Sequence, residues 1–114
     1  MGYMTERYQK FQQSKQEAVK LTIALSSCFS ETDPQRKDTY GHYIQRRIRP
    51  AMEQLLANEE FEKLETLDRW GWFSGREVDD LIRVVRGKQM IPGLVWLLKW
   101  KKENSGFSDR DFSL

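Results

Sequence analysis

The chain has 114 residues, 39% of them hydrophobic and 32% charged, with a formal net charge of +2. That apolar share excludes a disordered tail, and so small a net charge excludes binding to a polyanion through bulk charge alone. With one cysteine, Cys28, an intramolecular disulfide is excluded and a cytoplasmic location is expected.

The longest apolar run, Leu94 to Leu98, is too short to cross a membrane, and no membrane role is expected. Charged Lys10, Lys15, Glu17 and Lys20 interrupt any signal-peptide pattern. Glu6 stands where an N-myristoylation motif after Met1-Gly2 requires serine or threonine.

The first predicted element is one long helix over residues 3–29. Met4, Tyr8, Phe11, Ala18, Leu25 and Phe29 fall on alternating four- and three-residue spacing, with Leu21 and Cys28 widening the stripe. Lys15 and Thr22 occupy the missing turns, which argues against a coiled-coil seam.

Asp33-Pro34 supplies an N-cap followed by proline in the first helical position, so a second helix starts there. It carries Tyr40, Ile44, Ile48, Ala51 and Leu55 on one face, with Tyr43, Met52 and Leu56 beside it. Pro50 sits inside that face and predicts a kink or break near Arg47 to Arg49.

Asn58 closes this helix or caps the next, whose first turn is acidic (Glu59, Glu60, Glu62) and whose buried stripe is Phe61, Leu64 and Leu67. Trp70-Gly71-Trp72-Phe73 ends it. In Phe73-Ser74-Gly75-Arg76-Glu77-Val78, Ser74 and Glu77 form a capping box and Phe73 staples onto Val78. The helix that follows runs through Leu81, Ile82 and Val85 to Gly87, braced by pairing of Arg76 with Asp80 and of Asp79 with Arg83.

Pro92 starts the last helix. Leu94, Val95, Trp96, Leu97 and Leu98 make it apolar nearly all round, which predicts the most buried element. Asn104-Ser105-Gly106 stops it, and residues 107–114 form a tail carrying Phe107, Phe112 and Leu114, either frayed or held by those side chains. No strand pattern occurs. The expected fold is all-α, a single domain over residues 1–106 of about five helices, with a long N-terminal helix packed on helical hairpins.

Catalytic constellations are scarce. His42 is the sole histidine, and a thiolate pair with Cys28 lacks an orienting third group. One His and one Cys make no zinc site, Gly71, Gly75, Gly87 and Gly93 are isolated turn residues rather than a phosphate loop, and no loop has calcium-site spacing. The expectation is a non-catalytic chain with no cofactor, metal or small-molecule ligand.

Binding residues are better represented. Trp70, Trp72, Phe73 and Trp100, with Arg83, Arg86 and Lys88, are the candidate partner-binding set, because Trp and Arg are enriched at interface hot spots. The same tryptophans suit a core between hairpins equally well. Arg46, Arg47 and Arg49 form a candidate basic patch. The helix ending near Trp72, the turn at Gly75 and the helix over residues 76–86 have a helix-turn-helix layout, which makes nucleic acid the alternative partner. Glu77, Asp79 and Asp80 at the start of that second helix would oppose a polyanion.

Residues 48–67 echo residues 81–100 at a spacing of 33: Ile48 recurs as Leu81, Ala51 as Val84, Met52 as Val85, Phe61 as Leu94, Leu64 as Leu97 and Leu67 as Trp100. Leu81-Ile82-Arg83-Val84-Val85 and Leu94-Val95-Trp96-Leu97-Leu98 resemble the two helices of an ankyrin-type repeat, and residues 48–104 as a whole resemble degenerate units of that family. The Thr-Pro-Leu-His signature is replaced by Asp79-Asp80-Leu81-Ile82. The resemblance implies a protein-binding scaffold without chemistry. The combined expectation is a protein–protein interaction or adaptor domain.

Overall fold

The computed structural model describes the backbone of residues 2–105 and the side chains of residues 5–104. The tail over 107–114 and the side chain of Met4 lie outside the described residues. The described part is all-helical, with helices α1 (Gly2–Gln13), α2 (Glu17–Ser27), α3 (Pro34–Arg46), α4 (Ile48–Ala57), α5 (Phe61–Arg69), α6 (Gly75–Gly87) and α7 (Ile91–Ser105).

Seven helices replace the expected five because two predicted helices are each split. The first breaks at Ser14, Lys15 and Gln16, where the Ser14 hydroxyl accepts the Gln16 backbone N–H at 3.2 Å. Such a local bond offers the chain an alternative to helical pairing. The break resets the helical phase, so Ala18 is exposed while Leu21, Ala24, Leu25 and Cys28 are buried. The second breaks at Arg47 (φ −125°, ψ 43°), where Pro50 predicted a kink. An uninterrupted helix would have set the proline ring against the Arg46 carbonyl. Restarting at Ile48 puts Pro50 in a first turn, where no backbone donor is needed.

The chain divides into two compact units, Met1–Ala51 and Met52–Leu114, with the boundary inside α4. In the first, α2 packs on both α1 and α3. An aromatic cluster fills it: the Phe11 ring lies 5.0 Å from Tyr40 and 5.2 Å from Tyr43, and Tyr8 meets Tyr40 edge-on at 5.7 Å. Arg47 stacks on Tyr43 at 4.0 Å and donates two 2.8 Å bonds to the Glu17 carboxylate, so one guanidinium ties the end of α3 to the start of α2. The Asp33 carboxylate accepts the Arg36 N–H at 3.0 Å, as an N-cap before Pro34 requires. Glu31 is buried, and its Oε2 accepts the Asp33 N–H at 3.0 Å.

The second unit contains a structural repeat. α4 and α6 end in the same turn: Glu59 (φ 56°) and Gln89 (φ 57°), 30 positions apart, both adopt the left-handed conformation. Glu59 and Glu60 donate to Leu56 and Leu55 carbonyls at 3.1 and 2.9 Å, and Gln89 and Met90 donate to Arg86 and Val85 carbonyls at 3.2 and 3.0 Å. This crossed pair is the Schellman closure, which satisfies carbonyls left open by a helix end. The following helices, α5 and α7, start 30 positions apart as well.

In this register, buried Ala51, Met52 and Leu55 correspond to buried Leu81, Ile82 and Val85, and buried Leu64 and Leu67 to Leu94 and Leu97. Trp70 corresponds to Trp100. The structural repeat is therefore 30 residues, and the 33-residue echo pairs the start of α4 with the middle of α6. The hairpins touch: an added Cβ on Gly93 would lie 3.3 Å from Leu56 Cβ, Phe61 stacks on Trp96 at 6.3 Å, and Lys88 pairs with Glu53.

α5 ends in a third Schellman turn, here with Gly71 (φ 74°) in the left-handed position. Ser74 then starts α6, whose capping box with Glu77 is formed; the Glu77 carboxylate accepts the Ser74 N–H at 2.7 Å. Phe73 and Val78 are both buried beside it, as a hydrophobic staple requires.

Candidate binding surface

The candidate residues do not form a single patch. Phe73 is 7% exposed and lies 5.7 Å from the half-buried Trp100, whose Nε1 is enclosed without a hydrogen-bond partner among the described residues. Phe73 serves the interior, and Trp100 also lines a groove between α5 and α7. Trp70 is exposed and tilts onto half-buried Trp72 at 4.9 Å, so Trp70 is the exposed aromatic residue of the set.

Arg83, Arg86 and Lys88 are exposed on α6 and its C-terminal turn. Arg83 pairs with Asp80, and Asp79 pairs across to Lys101 on α7 at 3.0 Å. Asp79 was expected to brace Arg83; the proximity of α7 gives it a different cation. In the basic stretch, Arg46 and Arg49 are exposed while Arg47 is committed to Glu17 and Tyr43. That bidentate contact holds the Glu17 carboxyl below its usual range and the guanidinium above its own.

Cys28 is buried, and burial pushes its thiol up to about 11, so it is not a thiolate at neutral pH. His42 is exposed on α3.

A groove of about 300 Å³ runs between α5 and α7. Glu65, Asp68 and Arg69 line it from α5, and Trp96, Lys99, Trp100, Glu103 and Asn104 from α7. Its charges are mixed in sign along both walls.

The residues missed from sequence are on α7. Ile91 and Val95 are each 58% exposed and Leu98 is 42% exposed. At spacings of four and three they form one stripe, opposite the face that buries Gly93 and Leu97. α7 is thus buried on one face only, contrary to the expectation that it is the most buried element. Its apolar residues on all sides were the available signal. They reflect two distinct apolar faces, one packed inside and one open.

Cations accompany the open face. From Leu81 to Lys102 the chain carries six Lys and Arg residues and no Asp or Glu. Lys102 continues the stripe by one turn and Lys99 flanks it.

Among the described residues no helix is long and apolar enough to cross a membrane. No family model, no characterised protein and no solved structure matches the chain.

Proposed function

We propose that the chain is a non-catalytic binding module whose partner is another protein. The observation that carries this reading is the apolar outer face of α7, with three large aliphatic side chains open to solvent on one helix and lysines at its edge. Isolated exposed aliphatics are ordinary, but an aligned apolar patch with a polar rim is the usual sign of a protein contact. Exposed Trp70, with half-buried Trp72 against it, adds an aromatic surface of the kind enriched at hot spots. The high thiol pKa of Cys28 supports a structural rather than nucleophilic role.

The helix-turn-helix layout of α5 and α6 gives nucleic acid less support, because Asp79 and Asp80 lie on α6 among its arginines. Affinity capture with the full chain from its native host tests both readings. Specific protein retention that survives nuclease treatment supports the protein partner. Reproducible retention of no protein, together with nucleic-acid binding that falls steeply with salt and collapses in Arg83→Glu or Arg86→Glu, would replace that reading with the alternative.

A further inference from the structure

We infer that the open face of α7, Ile91, Val95 and Leu98, seats an amphipathic helix of a partner protein, one with an apolar ridge and acidic flanks. The inference rests on the protein-binding reading above and names its surface and the chemistry of its partner.

The internal repeat supplies the argument for a helix. In the 30-residue register Ile91, Val95 and Leu98 stand where Phe61, Glu65 and Asp68 stand on α5. Phe61 stacks on Trp96 of α7, and half-buried Asp68 and exposed Glu65 line the groove between α5 and α7. The same positions on α7 are uncovered, so α7 presents to solvent the face by which the preceding hairpin receives its neighbour. Stacked helical hairpins bury a continuous core only through such faces. The equivalent positions on α5 include two acids, exposed Glu65 and half-buried Asp68, whereas the open positions on α7 are all aliphatic.

Charge selects the partner. The border of the stripe carries Lys99 and Lys102, with Lys99 also lining the groove that holds Glu65, Asp68 and Glu103. An incoming helix with Glu or Asp beside its apolar ridge complements that border, and one with Lys or Arg is repelled. A second copy of this chain is disfavoured on the same ground. Two-fold pairing of the stripe would bring the cationic borders of two α7 helices together. Recognition would follow the helix-in-groove mode, with anchors at three- and four-residue spacing.

The probes are two synthetic helices of about 18 residues with identical leucine ridges, one flanked by Glu and one by Lys. Binding to the full chain is read by fluorescence anisotropy and by amide chemical shifts. The Glu-flanked helix should bind more tightly and shift the amides of Ile91, Val95 and Leu98. Val95→Asp should weaken it by about ten-fold or more, and Val95→Gln by less. Lys99→Glu combined with Lys102→Glu should reverse the preference between the two helices. Circular dichroism confirms that each variant is folded. Equal binding of both helices, indifference to Val95→Asp, or self-association of the chain that Val95→Asp abolishes without peptide binding would each overturn the assignment. If the host protein captured by the wild-type chain is also captured by Val95→Asp, this face is refuted while the protein-binding reading stands. If the wild-type chain captures none, that reading itself fails.

Discussion

Replacing Gln89 with glycine should stabilise the protein, although it removes a side chain. Three helices close with the same crossed pair of hydrogen bonds, and the left-handed residue is Glu59 after α4, Gly71 after α5 and Gln89 after α6. A residue with a Cβ in this conformation costs about 1–2 kcal/mol, because Cβ crowds the following carbonyl. Glycine avoids that cost but loses about 0.5–1 kcal/mol more chain entropy on folding. Gln89→Gly should therefore gain about 0.5–1 kcal/mol, and Gly71→Ala should lose a similar amount. A Cβ on Gly71 would meet no atom within 4 Å, so the loss isolates backbone conformation from any clash. Glu59→Gly should gain a similar amount, since Glu59 lies between the negative end of α4 and the positive end of α5 and its charge effects offset.

Urea unfolding followed by circular dichroism, at unchanged m, measures each difference, and the melting temperature should move by about 2–4 °C. Glu59→Gly and Gln89→Gly touch separate turns and should add. Gln89→Ala keeps the Cβ and serves as the control, with little change expected. A destabilising Gln89→Gly alongside a neutral Gly71→Ala would refute the reasoning, because the two substitutions read the same backbone term with opposite sign.

Three further outcomes test the packing and the electrostatics. Leu97→Ala should cost about 2–5 kcal/mol in urea unfolding, because Leu97 is fully enclosed, whereas Val95→Ala two residues earlier should stay within about 0.5 kcal/mol. Cys28, with its thiol raised to about 11, should react slowly with a disulfide reagent at pH 8 in the native protein and rapidly in denaturant; fast native labelling would show that the thiol is accessible. Arg47 lowers the Glu17 pKa in the folded state, so this pair stabilises the fold above the ordinary carboxylate pKa and the contribution disappears as pH falls through the lowered value. Carboxyl NMR titration should show the Glu17 midpoint rise towards its ordinary range in Arg47→Gln, and an unmoved midpoint would exclude the pairing in solution.

Helix starts with a dedicated side-chain signal were legible in the chain. Asp33-Pro34 and Ser74 with Glu77 each name a particular hydrogen bond, and both bonds form. The break at Arg47 was legible too, since a proline within the pattern leaves the backbone few alternatives. The break at Ser14 to Gln16 has no glycine or proline. Its signs were the consecutive polar Ser14, Lys15 and Gln16 and the polar Lys15 and Thr22 in the stripe, but similar gaps occur in continuous helices. The repeat register was hidden for a related reason. Apolar spacings of three and four match almost as well at 33 as at 30, and the residues that mark the register, Glu59 and Gln89, adopt left-handed backbone without the glycine that advertises it. Trp70 and Trp100 are equivalent in that register, yet one is exposed and the other half-buried, so composition could not sort core from surface among the tryptophans.

The outer face of α7 also runs against the demands of the isolated chain. Ile91 and Val95 are β-branched, which lowers helix propensity by several tenths of a kcal/mol relative to alanine, roughly 0.5 for each. At 58% exposure they recover only part of the burial energy that offsets this in a core. Leu98 suits a helix but adds to the same open apolar patch, which carries an aggregation hazard. Lysine or glutamate at all three positions would serve helix formation and solubility better, as exposed Glu65 does on α5 at the position equivalent to Val95. A side chain unfavourable on both counts in the free protein gains favourable energy only when something covers it. The triple variant Ile91→Lys, Val95→Glu, Leu98→Lys should therefore leave the free chain as stable as wild type, or slightly more so, while abolishing any contact made through α7. A large loss of stability in that variant would mean that the face serves the fold, and the case for a partner there would be withdrawn.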